Sequence, residues 1–236
     1  ALVGVNAMFK SDSRSNSYHI DVVEVHDFLA GCYRQLGKTW EAPSDEPAPA
    51  DNAALVRIKS IGVCGTDLHA FAGRQPFFTY PRVLGHELGV EVIEAPVNDR
   101  GIAAGDRCAI EPYIACGQCH ACKLGKTNCC ESLEVLGVHT DGGMQPLFAV
   151  PVELLHKSET LALDQLALVE TLGIGAHAVE RADVQPGQSV LVVGAGPIGL
   201  AVIQFAQAAG GNVRVLDVSQ TRREFVEKLG VEALAQ

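Results

Sequence analysis

The chain has 236 residues, 47% of them hydrophobic and 19% charged, enough for one large or two modest domains that each bury a core. A formal net charge of −10 repels phosphate backbones and sets nucleic acid aside as a partner. No apolar run approaches the ~20 residues that a membrane span needs, so no membrane partner is expected.

Residues 1–30 form an unassigned N-terminal segment. Its apolar start, ALVGVNAMF, has no basic residue before it, and the polar run KSDSRSNS that follows offers no small-residue cleavage site. No signal peptide and a cytoplasmic address are therefore expected. Thiols stay reduced there, and clustered cysteines are more often metal ligands than disulfides. YHIDVVEVHDFLAG is an amphipathic patch, and residues 41–53, EAPSDEPAPADNA, read as a linker-like loop.

Residues 54–63, ALVRIKSIGV, alternate as a half-buried strand would. VLGHELGVEVIEA (83–95) reads as loop then strand, GDRCAIEP (105–112) as a turn entering a strand, and DGGMQPLFAVP (141–151) as turn and strand. The intervening cysteine run reads as a loop. This first part is therefore expected to be β-rich.

The texture changes near residue 160. LALDQLALVETLGIGAHAVERA (161–182) has apolar residues at helical spacing. QSVLVVGAGPIGLAVIQFAQAAGG (188–211) and NVRVLDVSQTRREFVEKLG (212–230) then give strand, Gly-rich turn, helix, strand and helix. That order opens a doubly wound parallel sheet, giving an α/β class with a β-rich part.

The turn GAGPIG holds Gly194, Gly196, Pro197, Ile198 and Gly199, and a lone GxGxxG is a weak signal. Here it follows a strand and opens a helix, and Asp217 ends the next strand 18 residues after Gly199. Gly194 permits the tight turn, Gly196 a close approach to a pyrophosphate, and Gly199 close helix–strand contact. The helix N-terminus offers N–H groups to the phosphates. Asp217 suits the adenosine ribose hydroxyls and repels a 2′-phosphate, which favours NAD over NADP, while Arg222 and Arg223 lie near enough to soften that preference. A Gly-rich turn that binds no nucleotide is the alternative.

The stretch CGQCHACKLGKTNCC (116–130) places five of the eight cysteines in fifteen positions. Cys116, Cys119, Cys122 and Cys130 follow C-x2-C-x2-C-x7-C, and four thiolates around one ion make a closed structural zinc shell with no place for substrate. An iron–sulfur cluster or a disulfide network competes with that reading. Cys129 neighbours Cys130, and spacing alone does not exclude it as the fourth ligand.

Other candidate ligands are scattered. GVCGTDLH holds Cys64, Thr66, Asp67 and His69, LGHELG holds His86 and Glu87, and LVETLG holds Glu170. Each has an ordinary structural explanation: a small buried thiol, a core histidine, a surface helix carboxylate. Spacing does not assemble them.

Taken together, GVCGTDLH, YPRVLGHELG, CGQCHACKLGKTNCC and VLVVGAGPIGLAVIQFAQAAG resemble the zinc-dependent medium-chain alcohol and polyol dehydrogenases, over residues 54–230. GRQPFFTYPRVLGHE and LEVLGVHTDGGM are most similar to the bacterial branch acting on sugar acids and polyols. The resemblance implies a GroES-like catalytic domain over 31–160 and a partial Rossmann NAD-binding domain over 161–236. It also implies two zinc ions per chain. The catalytic ion would be held by Cys64, His86 and Glu170, with Glu87 beside it as an occasional fourth ligand or as a neighbour that hydrogen-bonds the ligands. The structural ion would be held by Cys116, Cys119, Cys122 and Cys130, whose interval matches the family's. Thr66 would bridge the substrate hydroxyl to the cofactor ribose, His69 would pass the proton to solvent, and Asp67 would orient His86.

The implied reaction oxidises a secondary alcohol, polyol or sugar acid. Zinc as Lewis acid favours the alkoxide, Thr66 and His69 carry the proton away, and the hydride passes to C4 of NAD. The full-length family form is expected to be a homo-oligomer. Only two strands of the nucleotide-binding fold are expected before the chain ends, against about six in a complete one, and the family's usual start is matched only from CYRQLGKTW (32–40). A non-catalytic zinc-binding module, with the cysteine loop as an interaction surface, is the alternative function.

Overall fold

The computed structural model describes residues 51–76 and 78–235. The amphipathic patch before residue 31, the start at 32–40 and most of the 41–53 loop lie outside the described residues. The chain divides into two compact units, with the boundary after Glu170.

In the first unit, β1 (Ala53–Gly62), β2 (Glu87–Glu94), β3 (Arg107–Ile110), β6 (Leu147–Pro151) and β7 (Leu155–Lys157) form an antiparallel sheet in the order β6-β1-β2-β3-β7. Alternation along β1 holds at Arg57 and Lys59, which point outward, but Ala53 to Val56 are all buried. A helix α3 (Leu163–Ala167) packs across β1, β2 and β3, its backbone meeting the sheet at Gly89, the register partner of buried Ser60. Ile58, Ile61, Leu88, Val90, Ile110, Met144 and Leu155 fill the core at 2% exposure or less. Branched and long aliphatic chains suit that pleated, two-sided surface.

Three elements of this unit are shorter than any periodic signal. Helix α1 (Gly65–Phe71) follows β1 directly. Strands β4 (Tyr113–Ile114) and β5 (Glu134–Val135) pair as a two-stranded antiparallel ribbon, Tyr113 opposite Val135. That ribbon closes the base of the cysteine stretch, which is not simply a loop: it contains the single-turn helix α2 (His120–Lys123) and a 3-10 turn at Thr127–Cys129.

The segment 161–182 forms two helices, α3 and α4 (Val169–Arg181), with Leu168 closing the first. The second unit then runs β8 (Ser189–Val193), α5 (Pro197–Ala208), β9 (Asn212–Leu216), α6 (Gln220–Lys228) and β10 (Glu232–Leu234). Its sheet is parallel in the order β10-β9-β8, packed on a core of Val192, Ile203, Val215, Val226 and Val231. The expectation of two strands is thus corrected to three. The third, Glu-Ala-Leu, carries too few residues to show a pattern and is recruited by the edge of β9.

Candidate functional site

Cys64, His86 and Glu87 come from two segments that meet in the first unit. Cys64 is the N-cap of α1, His86 lies in the turn before β2, and Glu87 opens β2. One ligand atom from each lies within 4.8 Å of the other two. Asp67 organises them. Its carboxylate is wholly buried, Oδ2 accepting from the Cys64 backbone N–H at 2.9 Å and Oδ1 from that of Gly85 at 3.3 Å. One side chain therefore ties the start of α1 to the turn that bears His86. Gly85 adopts φ +96° there, a left-handed value that favours glycine. Asp67 Oδ1 also lies 3.7 Å from His86 Nδ1, an electrostatic contact rather than a hydrogen bond.

Burial pushes the Asp67 carboxyl above its ordinary range, against the pull of His86 and of the two N–H donors. His86 is pulled both ways. Burial lowers it, but the hydrogen bond to Cys64 and the negative charges of Asp67, Cys64 and Glu170 outweigh that and raise it to about 9. His86 Nδ1 is buried without a hydrogen-bond partner. A half-buried thiol beside a buried imidazole and carboxylate fits a divalent cation, and the mix of S, N and O donors is a zinc set.

Glu170 is not in that group, although the resemblance implied it there. It sits half-buried in the first turn of α4, where Tyr113 Oη donates to its Oε1 at 2.6 Å. Burial and then the bond to Glu170 push the Tyr113 hydroxyl above its ordinary value, so it stays a donor at neutral pH. Glu87 occupies the group instead because its register partner on β1 is Gly62. A Cβ at Gly62 would run into the Glu87 carboxylate and stand 2.8 Å from its Cβ. Replacing Gly62 by Ala should therefore displace Glu87 and lower unfolding stability by about 1–3 kcal/mol, an overpacking cost read from urea midpoints. Thr66 is half-buried and His69 exposed on α1, one turn apart. Tyr113 and Gly62 carried no sequence signal, since only a hydroxyl reaching across 57 positions and a strand register reveal them.

Cys116, Cys119, Cys122 and Cys130 also gather within 4.8 Å. Their sulfurs accept backbone N–H groups: Cys116 N to Cys130 Sγ at 3.3 Å, Cys119 N to Cys116 Sγ at 3.4 Å, Cys122 N to Cys119 Sγ at 3.5 Å and Ser132 N to Cys130 Sγ at 3.3 Å. Such donors favour thiolates, and those of Cys122 and Glu131 hold Cys119 down to about 6. Cys116 Sγ and Cys122 Sγ are 4.0 Å apart, twice a disulfide length. Four sulfurs at Zn–S of about 2.3 Å form a tetrahedron with edges near ~3.8 Å, so the spacing fits one ion. Cys129 is exposed in the 3-10 turn and outside the group.

In the second unit, Gly194 has φ +96° and Gly196 caps α5, with Pro197 at its first position and Ile198 exposed behind it. A Cβ at Gly199 would fall on the Gly194 carbonyl oxygen, so this glycine permits turn and helix to touch. Asp217 is buried. Its Oδ2 accepts from Ala195 N and its Oδ1 from Ser219 N, both at 2.7 Å, while Arg222 Nη1 lies 3.6 Å from Oδ2 and Arg223 donates to the Asp217 carbonyl. The carboxylate therefore braces the Gly-rich turn. The two N–H donors, then Arg222, hold it below the ordinary carboxylate range. A depressed value stabilises the fold above the unfolded-state value, near ~3.9, and the benefit fades as pH falls through the folded-state value. Asp217→Asn should unfold at lower urea than the parent at pH 7, and the gap should narrow towards pH 3.

Residues 50–160 match the family described as Alcohol dehydrogenase GroES-like domain, and residues 170–235 match Alanine dehydrogenase/PNT, C-terminal domain. L-galactonate-5-dehydrogenase of Escherichia coli K12 is 51% identical over 83% of this chain and 57% of its own length. A solved structure from Sinorhizobium meliloti 1021, described as a zinc-binding dehydrogenase bound to NADP, has TM-score 0.74 at 36% identity, covering 79% of this chain and 55% of that one. A short chain alcohol dehydrogenase from E. coli CFT073, complexed with NADH, has TM-score 0.73 at 35% identity, covering 80% and 56%. The chain thus spans little more than half the length of the relatives it matches. No helix among the described residues is long and apolar enough to cross a membrane.

Proposed function

Since the chain belongs to the zinc-type alcohol and polyol dehydrogenase family, we propose that it serves NAD(P)-dependent oxidation of a secondary alcohol in a polyol or sugar acid. Residues 31–160 would form the metal-binding catalytic domain and 161–236 part of the nucleotide-binding domain. The observation that carries the proposal is the Cys64, His86 and Glu87 group, a zinc-type donor set drawn from two segments of a GroES-like unit. Zinc held there would supply Lewis acidity, making a bound hydroxyl easier to deprotonate.

The chain's own residues do the rest. Cys64, His86 and Glu87 would hold the metal, and Asp67 keeps the first two in register. Thr66, half-buried on α1, would take the hydroxyl proton, and exposed His69 would pass it to solvent. The second zinc would be held by Cys116, Cys119, Cys122 and Cys130 as a brace. Gly194, Gly196 and the α5 N-terminus would receive the cofactor pyrophosphate, with Asp217 and Arg222 at the ribose. A buried carboxylate favours NAD, although relatives are solved with NADH and with NADP. The 51% identity to a galactonate dehydrogenase points to aldonic acids as substrates.

Following NADH and NADPH absorbance over alcohols, polyols and aldonic acids tests this, with the present chain and a version extended to family length. Turnover of an aldonic acid or polyol in the extended version is the expected result. No turnover of any hydroxyl substrate with either cofactor would refute the proposal.

A further inference from the structure

Tyr113 and Glu170 form a hydrogen bond that no part of the proposed chemistry uses. The donor stands on a rigid mount. Its strand β4 pairs with β5, Glu111 N bonds to the Leu154 carbonyl at 2.8 Å, and Leu136 N bonds to the Pro112 carbonyl at 3.0 Å. The backbone is thus held on both sides of Tyr113, and three residues later the cysteine stretch begins. The acceptor is close enough to the metal-binding group to influence the charge of both Asp67 and His86, yet it is not a member of that group. A carboxylate oxygen engaged at 2.6 Å is committed to its donor, and at that distance the side chain has little freedom to turn elsewhere.

We propose that Tyr113 is a positioning residue that holds Glu170 out of the metal shell, leaving Glu87 as its carboxylate ligand and one position open for substrate. The inference rests on the zinc-site reading above. The two glutamates compete for one place. Glu87 is delivered by strand register against Gly62, and Glu170 is withheld by the tyrosine on the ribbon at the base of the cysteine stretch. The braced stretch then has a task beyond its own stability, since it anchors the ribbon that keeps the shell open.

The test uses the full chain loaded with Co(II) in place of zinc, and a difference spectrum against Cys64→Ser isolates the Cys64 site from the four-thiolate site. Glu170→Gln should leave the cobalt bands of that site unchanged, because Glu170 is outside the shell. Tyr113→Phe should release Glu170 as an added ligand. The d–d bands should then weaken and shift, and Co(II) affinity in chelator competition should rise about tenfold, the lower end of outer-shell effects. Combining Tyr113→Phe with Glu170→Gln should restore the parent spectrum. Bands of Tyr113→Phe identical to the parent, a change that survives in the double variant, or a change caused by Glu170→Gln alone would each overturn the inference while leaving the zinc site standing. Absence of any Cys64-dependent cobalt band would overturn the zinc-site reading and this inference together. If Tyr113→Phe does not fold, a cobalt spectrum of Glu170→Gln that differs from the parent still overturns the inference.

Discussion

Cys64→Ser should remove one of two zinc equivalents from the chain and leave the other in place. A serine hydroxyl is not a thiolate, and thiolate is the form that binds the ion. Loss of that donor leaves His86 and Glu87 as a two-ligand remnant in a buried pocket. In a version extended to family length, turnover should fall about 10³-fold or more. A Lewis-acid contribution of several kcal/mol, at about 1.4 kcal/mol per decade of rate, has that size. Metal analysis of parent and variant, with circular dichroism to show retained fold, provides the readout. An unchanged zinc count would sink the catalytic-site assignment and favour the non-catalytic zinc module.

Cys119→Ser should remove the other zinc and unfold the cysteine stretch locally. Residues 116–130 include no buried residue, and Leu124 is 61% exposed, so there is no core to hold them. Structural zinc contributes about 10–16 kcal/mol in small peptides, as much as a whole domain's stability, so an ion here would be the main support of a segment this open. Proteolysis should then nick between Cys116 and Cys130 while the sheet formed by β1, β2 and β3 stays intact. Protease resistance equal to the parent, with both zinc equivalents present, would refute the role.

How much of this was legible in advance varied with the range of the interaction. The four-cysteine spacing and GAGPIG declare themselves because their ligands and turns sit within one short segment. The helices of the second unit are long enough for periodicity to show. By contrast α1, the ribbon of β4 and β5, and β10 have between two and seven residues, fewer than a pattern needs. The alternation in β1 marked it as a strand, but the burial of Ala53 to Val56 in succession is set by packing that the alternation does not show.

The sequence by itself determined the change from a β-rich part to a strand–turn–helix part, the four-cysteine spacing and the Gly-rich turn, along with Cys64 and His86 as candidate ligands. Each of these is written in residue type and local spacing, which chemistry reads directly. Only the tertiary structure separates Glu87, which stands with Cys64 and His86, from Glu170, which does not. Glu87 reaches the group because the register of β1 and β2 sets it against Gly62, a glycine with no side chain to block it. Glu170 stays outside because a tyrosine 57 residues earlier captures its carboxylate. Membership in a metal shell is a matter of which oxygen can reach one point, and reach is set by pairing and packing rather than by the order of residues along the chain.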